Sequence, residues 1–207
     1  MNSDMQLNLF AAIAAQIASG ELNERQLVED VVMCPHLLVM VDSDEETLLH
    51  KAVFAAKPAA VQLLVNMVVD PTQMQFDSMP LLVLAVRNST PEVVRVLSTH
   101  RELLEQKDGI SGLTPLAWAC IDGKSEAVRV LLAAGADYDA ADDEMQRTPL
   151  HWAASKGHVE NIKLLLNAGA VRQRRDRDGS TAETVAEEEG HADAAELIRN
   201  EPLSGQR

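Results

Sequence analysis

The chain has 207 residues, of which 46% are apolar, 24% charged and only 3% aromatic, and it carries a formal net charge of −14 at pH 7. That length allows one domain or two with a sizeable core, and abundant Ala, Leu and Val with few aromatics favours packed helices over a β-sandwich. The acidic balance argues against nucleic-acid or anionic-lipid partners, because such binding relies on cations that displace counterions.

In chain order, the opening MNSDMQLNLFAAIAAQIASG resembles a secretory leader only in its apolar middle; it carries Asp4 and no Lys or Arg, and reads as a helix from Leu7 to Ala18. No stretch approaches the roughly 18 uninterrupted apolar residues that span a bilayer, so no membrane segment is expected. Gly20 ends that helix, ELNERQLVEDVV reads as a second one, and an irregular connection follows through Cys34-Pro35. Cys34 and Cys120 are the only cysteines, too few for a disulfide framework or a thiolate metal site, and a cytoplasmic or nuclear setting is expected.

Further along, TPLAWACIDGKSEAVRVLLAAGADYDAADD (114–143) and TPLHWAASKGHVENIKLLLNAGA (148–170) share one plan. A Thr suited to capping precedes a Pro suited to the first helical position, a Gly closes a short helix, and a second apolar helix runs to Gly-Ala. Aligned on the alanine of TPLHWA, Ala52, Ala85, Ala119, Ala153 and Ala186 fall 33, 34, 34 and 33 residues apart. In the same phase recur Leu63-Leu64, Val96-Leu97, Val130-Leu131, Leu164-Leu165 and Leu197-Ile198, with turns at Ala56, Ser89, Gly123, Gly157 and Gly190. Helices this short cannot bury an apolar face alone, so neighbouring copies must cover one another.

These motifs resemble ankyrin repeats, whose pattern is Thr-Pro-Leu-His-x-Ala with a Gly before the second helix and Gly-Ala after it. The resemblance implies an all-α solenoid of helix-turn-helix repeats with projecting β-turn or hairpin loops. It divides a single domain, 1–200, into an N-terminal capping repeat at 5–38, a repeat at 45–76, a distorted repeat at 77–110, repeats at 112–144 and 146–178, and a C-terminal cap at 179–200. Distortion at 77–110 is expected because SMPLLVLAV carries an extra residue, Met79 replaces Thr, and HRELLEQKD lacks the Gly-Ala close. Outward glutamates at 183 and 187–189 suit a polar cap, and 201–207 is expected to be a disordered tail.

The resemblance implies a non-catalytic scaffold or adaptor, monomeric on its own, that holds a protein partner in its groove. On repeat phase, that face comprises Ile110, Ser111, Leu113, Glu144, Met145, Arg147, Arg177, Asp178 and Ser180 from the projections, with Ile121, Asp122, Ser155 and Lys156 from the helix ends. Charge reversal at Arg147 and Lys156 is expected to weaken capture and leave the melting temperature unchanged. Trp118 and Trp152, one repeat apart, are candidate aromatic anchors, or else packing residues. Arg172, Arg174, Arg175 and Arg177 form a basic patch able to fork onto carboxylates or phosphates.

Alternative readings are a regulatory inhibitor or an assembly or substrate-delivery subunit acting on an enzyme complex, and a nucleotide- or small-molecule-binding enzyme. For the last, WACIDGKS ends like a phosphate loop but begins on Trp118 where glycine belongs and follows no strand. The resemblance gives His50 and His151 a bond that ties neighbouring turns. No His or Cys spacing suggests zinc and no nucleophile constellation is present, so neither cofactor nor metal is expected.

Overall fold

The computed structural model describes residues 3–200, so the tail expected at 201–207 lies outside the described residues. The chain divides into two compact units at the Leu97/Ser98 boundary.

The first unit opens with α1 (Ser3–Ser19) and α2 (Glu24–Met33), then a 3-10 turn at Pro35–Leu38. Two helix pairs follow, α3 (Leu48–Phe54) with α4 (Pro58–Met67) and α5 (Leu81–Asn88) with α6 (Pro91–Leu97). First helices stack on first helices, α1 on α3 and α3 on α5, while α4 packs on α6; α2 rests mainly on the 3-10 turn, the irregular connection expected there.

Between α4 and α5 lies the distortion expected of the third repeat. Strands β1 (Gln75–Phe76) and β2 (Met79–Pro80) form a hairpin pairing Gln75 with Pro80 and Phe76 with Met79. Its turn residues, Asp77 (φ 50°) and Ser78 (φ 61°), are both left-handed, as a two-residue hairpin of this twist requires. The extra residue is absorbed there, and Pro80 takes the N-cap position of α5 without a side-chain capping bond. By contrast, Thr47, Thr114 and Thr181 each accept a backbone N–H of the helix they start.

The second unit contains three helix pairs: α7 (Pro115–Ile121) with α8 (Ser125–Ala134), α9 (Pro149–Ser155) with α10 (Val159–Ala168), and α11 (Ala182–Glu188) with α12 (Ala192–Asn200). Again α7, α9 and α11 form one layer and α8, α10 and α12 another. Helices α8 and α10 end on left-handed Gly135 and Gly169, whose N–H groups return to the last turn.

The five aligned alanines are completely buried, which lets the first helices of adjacent repeats approach closely. Leu64, Leu97, Leu131, Leu165 and Ile198 are buried to within 1% on the second helices, filling the layer between modules. The left-handed turn persists at Ala56 (φ 51°) without a glycine, whereas Ser89 is extended and its hydroxyl donates to Val53 O at 2.8 Å. No helix among the described residues is long and apolar enough to cross a membrane.

Candidate functional site

All thirteen residues expected on the binding face lie in the second unit, on three projections and two helix ends. Each projection is closed by a backbone bond into a tight loop: Asp108 N–H to Leu113 O, Asp142 N–H to Arg147 O, and Asp176 N–H to Ser180 O. The aspartates at their bases are buried, with 5%, 2% and 6% exposure. Each carboxylate accepts the N–H groups of its own loop. Asp108 takes Ile110 at 2.9 Å, Ser111 at 2.6 Å and Leu113 at 2.9 Å; Asp142 takes Met145 at 2.6 Å and Arg147 at 3.0 Å; Asp176 takes Asp178 at 3.1 Å and Ser180 at 2.9 Å.

A side chain from outside the loop completes each cradle. Indole Nε1 of Trp118 donates to Asp108 and that of Trp152 to Asp142, both at 3.0 Å. Both tryptophans stand just before the aligned alanine, on half-buried positions, so each ring is tied to its own projection. In the last repeat that position is Val185, which cannot donate, and Asp176 instead takes Nε of Arg147 from the preceding projection at 3.1 Å. The Arg147 guanidinium also lies 5.3 Å over the Trp152 ring. In the first unit Asp42 shows the same device: it accepts Asp44 and Glu46 N–H groups and pairs with Lys51, which occupies the tryptophan position.

Burial alone would raise the carboxyls of Asp108, Asp176 and Asp42, but the donors outweigh it. Asp108 is held below the usual carboxylate range by three loop N–H groups and the Trp118 indole, Asp176 by Arg147 and Ser180, and Asp42 by Lys51 and its loop N–H groups.

The expected face separates into tips and supports. Ile110 (73% exposed), Asp122, Glu144, Lys156, Arg177 and Asp178 are exposed, while Ser111, Ile121, Met145, Arg147 and Ser180 are half-buried. Leu113 and Ser155, at 4% and 6% exposure, belong to the core and cannot present side chains to a partner, a correction to their place on the face. Arg147 carries a structural duty as well, since its bond reaches an Asp176 side chain with no solvent exposure; its charge reversal should therefore lower stability as well as capture. Of the basic patch, Arg174, Arg175 and Arg177 are exposed and Arg172 is half-buried.

Sequence reasoning gave none of these aspartates a supporting role. The available signal was the recurrence of Asp108, Asp142 and Asp176 every 34 residues.

Among the described residues, His151 makes the bond between repeats expected of it, and His50 does not. In His151, Nδ1 accepts the Thr148 N–H at 3.2 Å, which places the proton on Nε2, and that atom donates to Ser180 O of the next projection at 3.2 Å. His50 repeats the capping contact with Thr47, but its buried Nε2 has no hydrogen-bond partner among the described residues and the ring faces Phe76 of the β-hairpin at 5.9 Å. Burial holds both histidines below the ordinary range. The rings of His158 and His191 cover the turn glycines Gly123 and Gly157 of the preceding repeats. Gly123-Lys124-Ser125 follows helix α7 rather than a strand, and the Ser125 hydroxyl bonds Asn161 at 2.7 Å. Among the described residues no group of three His, Cys, Asp or Glu side chains could hold a metal ion.

Stacked helix pairs with projecting loops define an all-α repeat solenoid. Residues 49–142 and 140–204 match the family model described as ankyrin repeats (3 copies), and the chain belongs to the ankyrin-repeat family, whose repeats are general protein-interaction modules. It is 31% identical over 121 residues to transient receptor potential cation channel subfamily A member 1 of Homo sapiens, covering 58% of this chain and 10% of that protein. It is 36% identical over 91 residues to Protein PhlB of Serratia liquefaciens, covering 44% of this chain and 40% of that one. The chain thus spans less than half the length of either relative.

Proposed function

We propose that this chain is a non-catalytic scaffold or adaptor that holds a protein partner along the projections and first-helix ends of its second unit. The observation that carries this reading is the division of each projection into a locked base and an exposed tip. Buried Asp108, Asp142 and Asp176 fix the loops, while Ile110, Glu144 and Arg177-Asp178 stand in solvent with three different chemistries. Loops ordered before binding avoid an ordering cost of roughly 0.5–1.5 kcal/mol per immobilised side chain, so fixed bases with varied tips suit selective recognition.

Site-specific photo-cross-linking tests the reading. A photoreactive residue at Ile110, Lys156 or Asp178 should trap the same protein, and one at Lys163 on the second-helix layer should not. Equal trapping from Lys163 would move the site away from the projections.

A further inference from the structure

We propose that the tip of the last projection, Arg174, Arg175 and Arg177, docks a carboxylate-rich segment of the protein partner; this rests on the partner-binding reading above and specifies its chemistry. With 32 acidic residues against 18 basic ones, carboxylates outnumber cations in this chain, and several cations pair with them. Lys51 pairs with Asp42 and Glu46, Lys107 with Asp143, Arg147 with Asp176, and Arg199 with Glu183 and Glu187. Arg174, Arg175 and Arg177 are exposed and make no ion pair among the described residues, although Asp178 sits beside them.

The two side-chain bonds of this group among the described residues go to neutral acceptors. Arg175 Nη1 donates to Gly179 O at 2.5 Å and Arg177 Nη2 to Asp143 O at 3.3 Å. A backbone carbonyl restrains a guanidinium without cancelling its charge, so two of the three forks are partly oriented and still fully cationic. The loop beneath them is fixed by the Arg175–Thr181 bridge, by the Asp176 cradle and by the Arg177 N–H to Met145 O bond at 2.8 Å.

The occupant follows from charge. A nucleic-acid strand would bring a long run of phosphates against a chain of net −14 and be repelled wherever it left the patch. A short run of Asp and Glu needs only this loop, and beyond about 8 Å at physiological salt the remaining negative charge is screened.

Fluorescence anisotropy with a labelled peptide of alternating Asp and Glu tests the proposal, with a Gly-Ser peptide of equal length and a single-stranded RNA as comparison probes. The full chain should bind the acidic peptide, more weakly as salt rises, and neither comparison probe. The R174Q/R175Q/R177Q variant should lose roughly tenfold or more in affinity, as three exposed charge contacts predict. The corresponding triple Lys variant should stay closer to wild type than to the Gln variant, because it keeps the charge. No binding by wild type, equal binding by the Gln variant, an equal loss in the Lys variant, or preference for RNA would each overturn the proposal. Cross-linking from Ile110 and Lys156 that persists in the Gln variant would leave the broader partner-binding reading standing while this one fails.

Discussion

Replacing Asp142 by Ala tests whether the projections are held from their bases. The substitution removes the acceptor of Met145 N–H, Arg147 N–H and Trp152 Nε1–H at a site only 2% exposed. A hydrogen bond to a charged group contributes roughly 1.5–3 kcal/mol, and the three bonds are only part-buried so that water can replace some of them, which makes a loss of about 3 kcal/mol the expected result. For a chain of this size that lowers the melting temperature by on the order of 10 °C. Hydrogen exchange should show Met145 and Arg147 amides losing protection, and cross-linking from Glu144 should weaken. Asp143→Ala, which removes an exposed carboxylate paired with Lys107, should shift stability by less than about 0.5 kcal/mol. If Asp142→Ala melts with wild type and its loop amides exchange unchanged, the aspartate does not hold the loop.

Gly157→Ala should cost about 3 kcal/mol in denaturant titrations, because φ is 65° and a Cβ would meet the His191 ring at 2.6 Å. Gly190→Ala, at the same repeat position with nothing within 4 Å among the described residues, should cost only about 1 kcal/mol, and equal losses would remove the histidine contact from the account. Arg147→Glu should destabilise by about 2 kcal/mol, since it sets a second carboxylate against buried Asp176; an unchanged melting temperature would refute that bond. His50 and His151 have folded pKa values lowered by burial, so the unfolded chain takes up protons first. Their contribution is therefore complete above about pH 7.5 and declines as pH falls through roughly 6.5, and His50→Asn/His151→Asn should flatten the melting temperature across that window. Ala56→Gly should stabilise by roughly 0.5 kcal/mol, relief of the left-handed alanine exceeding the entropy that glycine adds to the unfolded chain.

The helix pairs were legible because packing constrains residue type at fixed intervals: a 33- to 34-residue spacing of alanines survives only if each fits the same narrow gap. Thr-Pro-Leu starts and Gly-Ala ends carry their conformations locally, so their boundaries could be read directly. The projections were harder. Asp42 and Asp176 lie ten residues before their alanines, while Asp108 and Asp142 lie eleven before, so loop length blurs the register. The donor completing each cradle changes from Lys51 to Trp118 and Trp152 and then to Arg147, and only three-dimensional proximity reveals that these unlike residues do one task. Leu113 and Ser155 were misplaced because phase along a helix or loop gives a direction and leaves open how much neighbouring structure covers it.

The bond from Arg147 to Asp176 also limits how such an array can be edited. A module whose aspartate is served by its own tryptophan can be copied or transplanted whole, whereas the loop at Asp176 depends on a side chain supplied by its predecessor. Cutting between the two would leave a carboxylate without its cation at the seam. A graft of the last module should therefore carry its predecessor with it.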